Sequence, residues 1–452
     1  MAKRAGIRRK SEFPRHRAGT DYSDRTLPYP KKAAAAGPDT ASLPGPGLDI
    51  LPEAPFIGPL PMPEGYEEPV PETPEPEPED EQEQITYPEN YLEISPDVNG
   101  WFQNIIQECM DIGASDVLLS TESERKVLTV QARVDGRMRP IRRVEGLEAR
   151  QIVGKFKSGS GLSTGVSFIP EETIYMVDVD GEERKARVVS FHTADGGDAI
   201  VLRLPPAGAL RRLSELSFSP LNKELFEELL GAANRMIVIA GPMGSGKTTT
   251  AHGALMHVST GTRTVWTVED PVERNLPGLI QLEVDEENNA GFDALLPALV
   301  RSDYDTLFIG EIRDNTTAAA AVRQAKAGRQ VITTIHANNN VTALLRLIDL
   351  AEDSPLSVLD SVKGVVSQRL IGRLNADWDG RDPMTKYKGR VPIHEVLTIT
   401  DAITEAIMAN VPLSRLRAIA EESSRSTFRQ DVERLIADGI TDREEARRVL
   451  GG

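Results

Sequence analysis

The sequence predicts an α/β fold: a parallel sheet wound with helices, preceded by a smaller α+β domain and followed by a helical part. Three observations carry that reading. From Leu213 onward helical and strand patterns alternate, as βαβ units require. Four short runs, Met236–Ala240, Thr264–Val268, Thr306–Ile309 and Gln330–Ile335, lack the alternation of a half-solvated strand, so each reads as a strand buried on both faces. Each run leads into a polar cluster, in turn GPMGSGKTTT, EDPVE, GEIRD and HANN. A parallel sheet presents chemistry at its C-terminal edge in that way.

The elements are taken in chain order. The first hundred residues hold 18 of the 31 prolines. Met1–Lys32 carries ten basic against three acidic residues, and Glu64–Gln84 carries ten acidic residues and no basic one. Such a segment buries too little apolar surface to offset its ordering entropy, so residues 1–93 read as a disordered Pro-rich tail, basic and then acidic. Order begins near Ile94–Trp101. Trp101, Ile105, Ile106, Cys109 and Ile112 fall at helical spacing and Gly113 ends the helix. VLTVQARVDGRMRPI reads as two strands about an Asp135–Gly136 turn. A helix from about Gly146 and strands at Thr173–Asp180, Glu183–Phe191 and Ala199–Leu204 complete an α+β domain over 94–205. Pro205, Pro206 and Gly208 mark a linker at 206–212, the parallel-sheet domain spans 213–400, and 401–452 is helical, a small bundle.

Composition excludes several classes. Cys109 is the only cysteine, so no intrachain disulfide forms. No apolar run approaches the ~18 residues that span a bilayer, and the basic start lacks the apolar stretch of a secretory signal. A cytoplasmic protein with at most peripheral membrane contact is expected. The net charge of −17 is spread over both parts, with 10 basic against 19 acidic residues in 1–100 and 42 against 50 beyond. Only 5% of residues are aromatic. A nucleic-acid motor needs a basic groove with stacking aromatics, so direct nucleic-acid binding is not expected, although a nucleic-acid-dependent P-loop motor is the rival reading.

Gly241–Thr248 fits G-x-x-x-x-G-K-[ST] between a strand and a helix, the context that makes it a phosphate loop. Backbone N–H groups of Gly241, Pro242, Met243, Gly244, Ser245, Gly246, Lys247, Thr248 and Thr249 are the candidates for this nucleotide cradle, proline contributing only shape. Lys247 would neutralise the β- and γ-phosphates and Thr248 would sit on Mg²⁺. Glu311, at the end of an apolar strand, is the natural Walker-B acid, holding Mg²⁺ through water or polarising the attacking water. Glu269, Asp270 and Glu273 read either as a metal and water-activation cluster or as an exposed acidic loop. His336 reads either as a γ-phosphate sensor, as a residue that orients Glu273, or as a hydrogen-bonded core histidine.

With these residues in place, the chain resembles the secretion-ATPase family of hexameric motors: type II secretion ATPases, type IV pilus extension and retraction ATPases, and type IVB secretion and conjugation ATPases. Four motifs appear in the family's order: the P-loop GPMGSGKTTT, TVEDPVE like its aspartate box, LVRSDYDTLFIGEIRD like its Walker-B stretch, and AGRQVITTIHANN like its histidine box. Ser302 and Tyr304 stand where glutamine and proline are usual, and Arg329 where a first histidine is common. ASDVLLS and RVDGRM resemble the preceding domain, and VVSQRLIGRL, KGRVPIHEVL and TFRQDVERLIADGITDREEARRV the C-terminal part.

The resemblance implies a RecA-like P-loop motor domain with a smaller, PAS-like N-terminal domain. It implies an ATP- and Mg²⁺-dependent homohexamer, cytoplasmic and peripheral to the inner membrane, that works on a polytopic platform protein. Residue by residue, Glu273 matches the proposed general base, Glu311 the Walker-B glutamate and His336 the histidine-box residue. Arg187 and Arg203 match arginines that reach nucleotide from the N-terminal domain. LNADWDGRDPMTKY has no cysteine where many members carry a tetracysteine zinc module, so no zinc site of that kind is expected. The Pro-rich tail stands where extension motors have a folded docking domain. These two features lean toward retraction or type IVB members, and TFRQD…GIT toward extension and type II.

Overall fold

The computed structural model describes residues 98–122, 126–179, 181–206, 208–424 and 426–451. The tail assigned to residues 1–93 lies outside the described residues. The first ordered elements are α1 (Val98–Asp111), β1 (Ala114–Glu122), β2 (Val127–Val134), β3 (Arg137–Glu145), α2 (Leu147–Gly159), β4 (Glu171–Val179), β5 (Glu182–His192) and β6 (Asp198–Arg203). The six strands form one antiparallel sheet in the order β3-β2-β1-β6-β5-β4. α1 and α2 cover one face, where Phe102 and Phe156 pack with ring centroids 4.0 Å apart above Leu119, Val188 and Leu202. Cys109 is buried in this core, and burial pushes its thiol up to about 12, which leaves it inert. Ile112, expected on the apolar face of α1, is exposed because the helix stops at Asp111 and Gly113 turns the chain at φ 76°.

The opposite face of this sheet carries a row of charge. Arg133, Asp116, Arg203 and Arg187 stand opposite one another on β2, β1, β6 and β5. Strand alternation places all four on the side away from α1 and α2.

The chain continues through α3 (Pro220–Gly231), β7 (Arg235–Ala240), α4 (Lys247–Val258), β8 (Val265–Glu269), β9 (Ile280–Glu283), α5 (Phe292–Leu299), β10 (Thr306–Ile312), α6 (Asn315–Lys326), β11 (Gln330–Ile335), α7 (Asn340–Ala351) and α8 (Pro355–Ser361). It closes with β12 (Val362–Leu374), β13 (Tyr387–Thr398), α9 (Asp401–Met408), α10 (Leu413–Ser423), α11 (Phe428–Ala437) and α12 (Arg443–Leu450). The second sheet runs β13-β12-β7-β11-β10-β8-β9, parallel except for the antiparallel β12–β13 hairpin. The four expected buried strands are all present, and β7 and β11 are buried at almost every position. β7 lies between β11 and β12, neither of which follows it directly in the chain. Connections therefore leave the sheet in opposite directions beside β7, which opens a crevice at its carboxyl end.

The last four helices do not form a bundle of their own. α9 and α10 deliver Ile403, Ala406, Leu416 and Ala420 to the main core, whereas α11 packs Phe428, Val432 and Leu435 on the β12–β13 hairpin beside Val449 and Leu450 of α12. Their apolar stripes are narrow, so each needs a sheet or a longer helix to cover it. Among the described residues no helix is long and apolar enough to cross a membrane.

Candidate active site

The phosphate loop leaves β7 at Ala240 and enters α4 at Lys247. Gly244 (φ 71°) and Gly246 (φ 83°) take the left-handed conformation that turns successive N–H groups inward. Gly241 admits no side chain, since a Cβ there would lie 2.4 Å from Ser245 Oγ. Ser245 Oγ is itself buried without a protein partner. A tight glycine cradle with an orphaned buried hydroxyl and a lysine at its base fits a nucleotide's phosphates.

Lys247 Nζ donates to the carbonyls of Gly241 (3.0 Å) and Pro242 (3.1 Å) and lies 3.3 Å from Nδ1 of His336. Burial lowers its pKa to about 8, against the pull of Glu311 and Glu273. Burial and the neighbouring ammonium likewise lower the pKa of His336, which keeps the ring neutral. The ring stands between Lys247 and Glu311, with Nε2 3.1 Å from Glu311 Oε1. His336 therefore engages Glu311 rather than Glu273. Strand β10 extends past its register break at Ile309 to Ile312, so Glu311 projects from the strand itself, toward β11.

The three carboxylates after β8 separate into three roles. Glu269 points inward and is buried. Burial would raise its pKa, but hydrogen bonds from Thr267 (2.7 Å) and Gln281 (3.0 Å), with His252 Nε2 3.5 Å away, hold it low and bring β8 against α4 and β9. Asp270 lies between two arginines, 3.0 Å from Arg313 Nη1 and 3.6 Å from Arg187 Nη2. Glu273 is solvent-exposed as a residue, yet desolvation by the surrounding protein raises its carboxyl pKa despite the nearby charges of His252 and Arg203. Neither a single metal cluster nor a freely solvated loop describes the three.

Both predicted arginines reach this crevice from the antiparallel sheet. Arg203 is held by Asp116 (Nε to Oδ1, 3.3 Å) and lays Nη2 3.0 Å from the Met243 sulfur of the phosphate loop. Arg187 links Glu172 (3.1 Å) to Asp270. Thr248 is half-buried in the first turn of α4 and Thr249 is exposed beside it. Two further arginines carry no assignment from sequence. Arg313 bridges Glu311 (3.5 Å) and Asp270, and Arg390 approaches the Gly244 carbonyl at 3.5 Å while pairing with Asp135. Both lie inside segments that resemble the family, GEIRD and KGRVPIHEVL, so their motifs are visible in the sequence but their direction is not.

Among the described residues no group of three or more His, Cys, Asp or Glu forms a ready metal cage. Mg²⁺ does not require one, because it keeps several waters and takes one or two protein ligands beside substrate phosphates. The Thr248 hydroxyl and the Glu311 carboxylate fit that sparse set.

Comparison with known proteins places the chain in a family. The family profile described as "Type II/IV secretion system protein" covers residues 95–448. The chain belongs to this family. The type II secretion system protein HxcR of Pseudomonas aeruginosa is 33% identical over 350 residues, 74% of each chain. Type II secretion system protein E of Pectobacterium carotovorum subsp. carotovorum is 31% identical over 373 residues, covering 76% of this chain and 74% of that one. Among solved structures, the ATPase DotB of Legionella pneumophila aligns with a TM-score of 0.62 at 19% identity, over 80% of this chain and 97% of that chain. At that identity the likeness establishes the fold alone, a parallel α/β core with a smaller α+β part before it.

Proposed function

We propose that this member of the secretion-ATPase family is a Mg²⁺-dependent ATPase that assembles as a homohexameric ring and drives type II or type IV secretion, or pilus assembly or retraction. Residues 94–205 act as a mobile N-terminal domain, 206–212 as its linker, 213–400 as the motor and 401–452 as a helical C-terminal part. The tail at 1–93 adds a partner-binding extension. The motor works from the cytoplasmic side on a polytopic inner-membrane platform protein, with peripheral membrane contact and no direct nucleic acid.

The observation that carries this reading is the chain of contacts Lys247–His336–Glu311–Arg313–Asp270–Arg187, which runs from the phosphate loop to the neighbouring antiparallel sheet. ATP phosphates seated on Gly241–Thr249 draw Lys247 off His336. Arg203 and Arg187 then face the γ-phosphate, where a guanidinium stabilises charge that develops in the transition state. Glu273, with its raised pKa, takes the proton of the attacking water, while Glu311 and His336 orient the opposite side. Thr248 and Glu311 would hold Mg²⁺, which would supply charge neutralisation of the phosphates. The water oxygen bonds to the γ-phosphorus as the bond from that phosphorus to the β–γ bridging oxygen breaks, with ADP as leaving group. Release of the phosphate removes the anion that the arginines share, the domains part, and that motion does work on the platform.

ATP turnover of Lys247→Ala and Glu311→Gln tests the site. Lys247→Ala should lose nucleotide binding, and Glu311→Gln should bind but turn over at least about a hundredfold more slowly. Unchanged turnover in both variants refutes the assignment. Capture of the Glu311→Gln ring from native membranes with ATP tests the partner, which should be a polytopic platform protein. DNA-processing proteins in its place would overturn that part.

A further inference from the structure

Strand β12 carries a polar residue where a core residue is expected. Gln368 is only 2% exposed, just beyond the pairing of Ser367 with Ala240, the last residue of β7. Its side chain sits under the phosphate loop and is engaged at both ends. Nε2 donates to the Ser245 carbonyl at 2.7 Å, and Oε1 accepts from the Thr250 hydroxyl at 2.6 Å. The loop is built around it: a Cβ on Gly246 would come within 2.9 Å of Nε2, and one on Gly241 within 2.5 Å of the Gln368 carbonyl.

These contacts have a stereochemical consequence. The Ser245–Gly246 peptide is trans, since among the described residues the single cis bond is Asp270–Pro271, so its C=O and N–H point in opposite directions. Pinning the Ser245 oxygen outward on Gln368 aims the Gly246 N–H away from Gln368, into the hollow of the loop. A phosphate cradle needs its N–H groups inward and its carbonyls outward, and each outward carbonyl that is buried needs a donor. Gln368 is that donor. Thr250 lies in the first turn of α4, where its own N–H bonds the Gly246 carbonyl at 3.1 Å. The carboxamide thus splints the loop to the helix, and the Thr250 hydroxyl fixes which end of the amide faces Ser245.

We propose that Gln368 is a positioning residue of the phosphate site: its carboxamide presets the Ser245–Gly246 peptide for an incoming phosphate before nucleotide arrives. The inference rests on the nucleotide reading above. It assigns Gln368 no contact with substrate. A preset cradle acts on binding, so its loss moves Kd and KM more than kcat.

The test is ADP binding by calorimetry and steady-state ATP turnover on the full chain, with wild type and Lys247→Ala as references. Gln368→Leu keeps the volume and removes both hydrogen bonds. It should weaken ADP by about ten- to hundredfold, raise KM in parallel and change kcat by less than about threefold. Thr250→Val should weaken ADP in the same direction, Thr250→Ser should restore wild-type affinity, and the Gln368→Leu/Thr250→Val pair should bind no more weakly than Gln368→Leu alone. If Gln368→Leu does not fold, the Thr250→Val and Thr250→Ser pair decides. Wild-type ADP affinity in a folded Gln368→Leu or in Thr250→Val overturns the proposal, as does Thr250→Ser binding as poorly as Thr250→Val. A wild-type chain that binds no ADP overturns the nucleotide reading and this inference with it. Loss of binding in Lys247→Ala alone overturns only this inference.

Discussion

His336 Nε2 lies 3.1 Å from Glu311 Oε1, and the other ring nitrogen is 3.3 Å from the Lys247 ammonium. One imidazole thus connects the base of the phosphate loop with the carboxylate near the end of β10. His336→Ala is expected to lower kcat by about ten- to hundredfold while changing ADP affinity by less than about threefold. Equal losses in kcat and affinity, measured by turnover and calorimetry, would place His336 in phosphate binding instead.

Glu273 should set the acid limb of the rate profile. Its pKa is raised, with burial the main cause, so the carboxylate needed as a base is lost at a higher pH than for an ordinary glutamate. The expected kcat/KM profile falls as pH drops through a value above the usual carboxylate range, and Glu273→Gln removes both the limb and the activity. Because the ionised form is disfavoured by folding, Glu273→Gln should not lower the melting temperature near neutral pH. A pH profile and a thermal melt check both outcomes.

Asp116 holds Arg203 from the adjacent strand, and Arg203 reaches Met243 in the phosphate loop. Arg203→Ala is expected to reduce kcat by about a hundredfold or more, as loss of a transition-state guanidinium does. Asp116→Asn keeps the side chain's shape but weakens its hold, and should give a smaller loss of about tenfold. Single-turnover hydrolysis separates this effect from product release, and equal rates for wild type and Arg203→Ala would exclude the assignment.

Glu445 fastens α12 to the sheet and to the antiparallel domain. It is 2% exposed and accepts from Gly372 N (2.8 Å) and Arg448 (2.6 Å to each oxygen), with Arg137 3.4 Å away. Burial would raise its pKa, but these donors hold it below the usual range. Its stabilising contribution is therefore complete above the unfolded carboxylate pKa and is lost as pH falls through the lower folded value. Glu445→Ala should cost about 1–3 kcal/mol at pH 7, and the difference from wild type should shrink in acid. Urea titrations at the two pH values measure it.

The parallel-sheet core is legible in the sequence because its signals are local. A run of apolar residues followed by GSGK or by GEIRD states its own strand, turn and chemistry within about a dozen positions. Other strands give weaker signals. β1 does not stand out as a strand, because six of its nine residues are only partly buried and the apolar alternation is shallow. The β12–β13 hairpin is equally faint, because Lys363, Ser367, Gln368, Arg369 and Arg373 break up the apolar run of β12, and of these Ser367 and Gln368 are buried. That interruption marks the residue that braces the phosphate loop.

By itself the sequence determined the fold class, the glycine-rich loop motif and the identity of the charged groups nearby. Only the tertiary structure decided which of them meet. It set His336 against Glu311, gave Asp270 to Arg187 and Arg313, turned Glu269 inward, and put Gln368 beneath Ser245, 123 residues away. The physical reason is that strand order and register fix these neighbours. Both are settled by the burial of whole strand faces, which no short stretch of sequence contains.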